Sequence, residues 1–212
     1  MELFSRRYLL AGALALATPA LGATLPAESF EVWRSGRRIG RRTIAFNGQG
    51  GDIEATIEDV IAVGLGPLIL FRYHHQAREI WRGGAFSTLT SHTMTNGRRE
   101  QVVAERTGAG VRVSGDKGAQ WLPAEAAPLT HWNMAALKRP LFNPQTGAAM
   151  RERLVSSTPG RAQLAGGASL AATRCILSGE AAITDWYDQS GRWVGLRAKA
   201  NDGSIVDYRR TA

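Results

Sequence analysis

The chain has one cysteine, Cys175, in 212 residues, and only three lysines, Lys117, Lys138 and Lys199, among its 26 basic side chains. A single thiol excludes an internal disulfide framework and any cysteine-rich zinc or iron–sulfur centre. Beyond the N-terminus no apolar run reaches the roughly 18–20 residues that a membrane-spanning helix needs. Gly-x-Ser-x-Gly, His-Glu-x-x-His and a Walker loop are all missing, which removes the local signatures of three large enzyme classes. With 44% hydrophobic and 21% charged residues the chain is neither disordered nor of low complexity. Its formal charge of +8 is carried by scattered arginines, with no basic stripe or interleaved aromatics, and this argues against nucleic acid as a partner. Attraction to an anionic membrane surface remains compatible with that charge.

The N-terminus reads as an address. Ser5-Arg6-Arg7-Tyr8-Leu9-Leu10 stands before a short apolar stretch ending at Ala17, and Ala20-Leu21-Gly22 offers small residues for cleavage. The paired arginines, Arg6 and Arg7, resemble a twin-arginine export signal, although its common lysine is absent. The expectation is a leader over 1–22, cleaved after Gly22, and a soluble periplasmic domain over 23–212. Loss of the leader leaves 24 Lys+Arg against 17 Asp+Glu. No cysteine lies near the cleavage point, so no lipid anchor is expected there.

Period two dominates the rest. From Asp52 to Val63, Ile53, Ala55, Ile57, Ile61 and Val63 fall on one face, and Asp59 is a charged intruder among them. Phe30–Arg34 and Ile39–Phe46 flank Ser35-Gly36-Arg37-Arg38 as a hairpin. Gly83-Gly84, Asn96-Gly97, Gly115-Asp116-Lys117-Gly118 and Asn201-Asp202-Gly203 punctuate the chain at turn spacing. The segment Ile69–Trp81 admits a helix, but its aromatics and the glycines after it favour a strand. Between Pro123 and Pro140 the period breaks, and Thr130 as N-cap with Lys138 near the C-terminus predicts a short helix of about two turns docked on the sheet. A second break, 158–168, reads as a Gly/Ala-rich loop. The predicted fold is mainly β: a curved antiparallel meander, half-barrel or open barrel, with one short helix packed on it and no linker dividing it.

Candidate chemistry is sparse. His75 and Glu79 would form half a metal site on a helix, but on a strand His74 and His75 point to opposite faces and the site dissolves. His92 on the following strand can meet one of them across the ladder. Asp185-Trp186-Tyr187-Asp188 flanks aromatics with carboxylates, yet Asp188–Gly191 is turn chemistry and reads as a hairpin. Cys175 sits in a strand with no glycine-rich elbow and reads as a small buried hydrophobe. A polar site built from His74, His75, Glu79, His92 and Asp185 is therefore the minor reading; no catalytic residue, cofactor or metal is assigned.

Phe30-Glu31-Val32, Arg38-Ile39-Gly40, Tyr73-His74-His75, Glu79-Ile80-Trp81, His131-Trp132-Asn133, Asn143-Pro144-Gln145-Thr146-Gly147, Asp185-Trp186-Tyr187-Asp188 and Gly191-Arg192-Trp193 together resemble an uncharacterised family of exported bacterial proteins, a domain of unknown function. More distantly, the pattern is similar to the periplasmic carriers LolA and LolB, whose curved sheets hold acyl chains under a helical lid. That resemblance implies a soluble periplasmic binding or carrier protein for a lipid-like or other hydrophobic ligand. Its lining candidates are Trp33, Phe71, Trp81, Phe86, Trp132, Leu137, Trp186 and Trp193, or else these residues fill a dry core. The alternatives are an envelope structural or assembly factor working through a surface, and an exported hydrolase-like enzyme. Oligomeric state is not legible.

Overall fold

The computed structural model describes residues 25–65, 68–180, 182–200 and 202–211. The leader, with Arg6 and Arg7, lies outside them. Among the described residues fifteen strands follow one another: β1 (Glu28–Arg34), β2 (Arg37–Gln49), β3 (Asp52–Leu65), β4 (Leu68–Arg82), β5 (Ala85–Thr95), β6 (Arg98–Thr107), β7 (Gly110–Gly115), β8 (Gly118–Leu122), β9 (Ala127–Pro128), β10 (Leu141–Phe142), β11 (Arg153–Gln163), β12 (Ser169–Ser178), β13 (Ile183–Tyr187), β14 (Trp193–Lys199) and β15 (Ile205–Arg210). Thirteen of them form one sheet in the order β11-β12-β13-β14-β15-β1-β2-β3-β4-β5-β6-β7-β8. Every pairing in it is antiparallel. The two end strands, β11 and β8, are not paired with each other, so the barrel stays open. β15 lies against β1 with Phe30 opposite Arg210, which brings the last strand beside the first.

Alternation lays down the inner face. In β3, Ala55, Ile57 and Asp59 are buried, and in β4 His75, Ala77, Glu79 and Trp81 are. The intervening side chains point outward, as period two requires. The stretch 68–81 is thus a strand, paired on both sides. The turns use the residues the sequence offers: Ser35 and Gly36, and Asn96 and Gly97, have positive φ, as tight hairpin turns demand.

The stretch from β8 to β11 runs into the curl and fills it. β9 and β10 pair in parallel there, and Ala136, Leu137, Leu141 and Phe142 join Trp81, Phe86, Leu89, Val102 and Val113 in one buried cluster. The sheet holds this insert by backbone as well: Ser91 Oγ donates to the Pro144 carbonyl and Gln120 Nε2 to that of Gly147.

Two local expectations need correcting. The predicted helix over Thr130–Lys138 is a single 3-10 turn, Met134–Lys138, capped by Asn133, whose side chain accepts from the Ala135 N–H. Pro140 ends the segment, and burial of Thr130 and Trp132 against the sheet holds the residues before Met134 out of the helix. The predicted loop 158–168 is strand as far as Gln163. Its Pro159 is tolerated because β11 is an edge strand, where a missing N–H costs no ladder bond on the open side.

Candidate functional site

Three polar clusters sit on the inner face, each where β-sheet parity and the insert force polar groups into the core. The first surrounds Glu79, which is fully buried on β4. Its Oε2 accepts from Trp81 Nε1 at 3.0 Å and from Trp132 Nε1 at 3.1 Å. Burial pushes the Glu79 carboxyl above its ordinary range, and the indole donors oppose this only in part. Trp132 also packs edge-on against Trp81 and Phe46, with ring centroids 5.6 and 5.3 Å apart.

Beside Trp132 opens a recess of about 370 Å³ whose walls include Phe46, Ile53, Trp81, Trp132 and Met134. It lies at the end of the sheet that carries the β2–β3, β4–β5 and β13–β14 turns. At its rim Arg192 Nε donates to Glu28 Oε1 at 2.9 Å. Burial raises the Glu28 pKa, and the Arg192 partner acts in the opposite direction.

The second cluster is built on His131, which the insert delivers to Asp185 on β13. Nδ1 lies 3.1 Å from the Asp185 carboxylate, which also accepts from Trp193 Nε1 at 2.9 Å. The His131 ring stacks on Trp193 at 5.4 Å, and Tyr187 Oη donates to the His131 carbonyl at 2.8 Å. A carboxylate holding an imidazole is how a catalytic triad orients its histidine. Cys175, opposite Asp185 in the ladder, does not complete one here, since it donates to Ser157 Oγ at 3.8 Å. Burial also pushes that thiol up, away from the reactive thiolate.

The third cluster pairs Arg42 with Asp59 across the β2–β3 ladder. Nε and Nη2 of Arg42 both reach Oδ2, at 3.0 and 2.9 Å, and the guanidinium lies over the Trp193 and Tyr208 rings at 5.5 and 5.2 Å. Burial raises the Asp59 pKa, while Arg42 draws it back down. Next to this pair His75 Nδ1 lies 2.8 Å from Thr93 Oγ1. Burial drives the His75 pKa down to about 3, with Arg42 adding to the effect.

The five residues of the minor polar site do not converge. His75, Glu79 and Asp185 face inward in three separate clusters. His74 faces outward and pairs with Glu58 at 3.0 Å, and His92, opposite Gln76, shares an outer depression with His74. His75 thus meets Thr93, not His92, across the ladder. Among the described residues no group of three or more His, Cys, Asp or Glu is arranged to hold a metal ion.

The eight aromatic and aliphatic candidates divide as well. Trp81, Phe86, Trp132, Leu137 and Trp193 are all buried in the one core cluster. Trp33 lies on the outer face under the Arg209 guanidinium, and Trp186 packs outside against Ala162, Ala172 and Val194. Phe71 is half-buried far along β4, opposite Val63.

Residues 30–211 match a family described as a domain of unknown function, DUF6134. The chain belongs to that family. Among solved structures it is similar to a β-barrel-like protein of the domain of unknown function DUF1849 from Brucella abortus. The two are 8% identical with a TM-score of 0.59, over 87% of this chain and 95% of that one. At such identity the likeness is one of fold alone. No curated protein matches the chain.

Several residues central to this DUF6134 domain escaped the sequence reading. Arg42 shares the parity of the buried Ile44 on β2, so its inward direction was readable there. Tyr208 had the same kind of signal in β15. Phe46 continues the parity of Ile44 on β2, and Glu28 shares that of the buried Phe30 and Val32 on β1; His131 and Arg192 had no such signal, because tertiary contacts alone bring them to their partners.

Proposed function

We propose that this DUF6134 domain is an exported, non-catalytic binding protein that holds a small ligand with an apolar body in the recess around Trp132. One observation carries the reading: about 370 Å³ of space against Phe46, Ile53, Trp81, Trp132 and Met134, a size within the roughly 300–1,000 Å³ typical of ligand sites. The Glu28–Arg192 pair gives the rim a polar end suited to a headgroup or carboxylate. Met134 supplies a flexible wall that adapts to different shapes.

The remaining core aromatics pack on one another, as in the Trp81–Phe86 and Phe86–Phe142 contacts at 5.9 and 5.7 Å. The reading is accordingly of a compact ligand rather than a long acyl chain lying along the whole curl. It shares with LolA and LolB the idea of an apolar curve closed by an insert, and nothing finer.

Native mass spectrometry of protein recovered from the cell envelope, with solvent extraction of the same sample, tests it. The expected result is a small adduct that denaturation releases and that Met134→Trp, which fills the recess, abolishes. A bare mass for the native protein, or an adduct that Met134→Trp leaves in place, overturns the proposal.

A further inference from the structure

The β3–β4 hairpin carries a feature the binding recess does not use. From Val60 to Phe71 the chain has twelve consecutive residues without a charged or hydrogen-bonding side chain. β2 stops pairing with β3 at Gly40–Ile61, and β5 stops pairing with β4 at Tyr73–Thr95. Arg72 still accepts from the Asn96 N–H of the β5–β6 turn, and beyond it β3 and β4 pair only with each other, from Val63–Phe71 to Leu65–Leu68. Three residues at about 3.3 Å each make a projection of roughly 10 Å. On it Leu68 is 61%, Ile69 46% and Leu70 60% exposed. Behind it, Val60 and Met94 continue the apolar surface on the outer face, beside a shallow depression that Ala62 also lines. A cluster of large exposed aliphatics on a tip marks an interaction surface.

The surroundings of the tip are basic. Arg72 stands on the hairpin itself, and its N–H donates to Asn96 Oδ1 at 2.8 Å, tying it to the β5–β6 turn. That turn continues into exposed Arg98 and Arg99, and the β1–β2 turn into exposed Arg37 and Arg38. The acidic side chains at this end are mostly engaged: Glu31 by Arg38, Glu100 by Arg98, Asp202 by Arg34 and Glu58 by His74. Asp116 accepts from the Gln101 N–H. Arg37, Arg72 and Arg99 enter no salt bridge among the described residues.

We propose that this end of the molecule docks on an anionic lipid bilayer, with Leu68, Ile69 and Leu70 entering the interface and Arg37, Arg72 and Arg99 at the headgroups. A bilayer fits better than a protein. A two-stranded tip falls well short of the roughly 800 Å² per partner that a stable protein interface buries. A second copy would also meet like charge with like charge. A bilayer accepts a narrow apolar wedge and rewards each basic residue near its surface. The Trp132 recess lies at the opposite end of β3 and β4, so docking leaves it accessible and the two sites can be tested separately.

The test is flotation of the protein, as recovered from the cell, with phosphatidylcholine vesicles containing or lacking about a third phosphatidylglycerol. Binding is expected to the anionic vesicles and to fall as salt shortens the Debye length. Leu68→Ser with Leu70→Ser should weaken it by about tenfold or more, with an unchanged melting temperature because both side chains are exposed. Arg72→Gln with Arg99→Gln should lower it about fivefold per arginine, and this pair carries the test should the serine variant unfold. Equal binding to neutral vesicles, no binding to anionic ones, or unaltered binding by either double variant overturns the proposal. So does a dimer in sedimentation that the serine variant abolishes, since the tip would then be a protein contact.

Discussion

Removing one member of the Arg42–Asp59 pair should destabilise the fold strongly, and the two members should differ in how that loss depends on pH. The Asp59 side chain is 1% exposed and both of its bonds from Arg42 fall on Oδ2. Arg42→Met leaves that carboxylate buried with its cation gone, a situation that costs about 3–5 kcal/mol. For a domain of this size, at about 2–4 °C per kcal/mol, the melting temperature should drop by about 10 °C or more. Burial already raises the Asp59 pKa, and without Arg42 the rise is larger. A carboxyl whose folded pKa exceeds its unfolded one is favoured in the native state at low pH and disfavoured as pH climbs through the folded value. The Arg42→Met penalty should therefore shrink between pH 7 and pH 5 as Asp59 takes up a proton. Asp59→Asn leaves a guanidinium that cannot deprotonate, so its penalty should stay flat over the same range. Replacing both, Arg42→Met with Asp59→Leu, should recover much of the loss, because an apolar pair of similar volume needs no desolvated charge. Urea denaturation at the two pH values measures all four proteins. Penalties below about 1 kcal/mol, or parallel pH dependences for the single variants, would refute the reasoning.

Acid titration of stability separates two other buried groups. His75 has a folded pKa pushed down to about 3, so it stabilises the native state above its unfolded pKa, and that stability is lost as pH falls from about 6.5 towards 3. His75→Gln should flatten this decline in denaturation midpoints. Glu79 shifts upward, so its contribution is full below about pH 4.5 and fades as pH rises through its folded value; Glu79→Gln should remove that fade. A Cβ at Gly40 would fall against the Val60 carbonyl oxygen and Ile61, so Gly40→Ala should cost about 1–3 kcal/mol by calorimetry. Phe142→Ala, which empties the fully buried insert anchor, should cost about 3–5 kcal/mol; a cost below 1 kcal/mol would mean that the insert does not hold the curl together.

The sheet was readable because nearly every strand is both amphipathic and bounded by turn residues. Asp59 stood out as the wrong residue on an apolar parity, and its burial follows directly. Its partner Arg42 had the same signal on a strand whose many arginines masked it. Order across the sheet was less accessible: the β15–β1 pairing joins residues about 180 apart, and local periodicity says nothing of it. The insert defeated the helix prediction because its side chains answer to the sheet they fill. Trp132 must reach Glu79 and His131 must reach Asp185, and those long-range bonds outweigh the weak local propensity of a nine-residue segment. The recess was partly legible, since Trp81 and Trp132 were both candidates. The sequence could not distinguish them from Trp33 and Trp186, which carry equally bulky rings on the other face.

Those four tryptophans provide the most direct test of the binding proposal. Indole N–H resonances of the 15N-labelled protein can be followed while the molecule extracted from envelope-purified material is titrated in. The account predicts shifts at Trp132 and Trp81, with Trp33 and Trp186 still. Unmoved Trp132 and Trp81 resonances, or shifts confined to the outer-face pair, would contradict it.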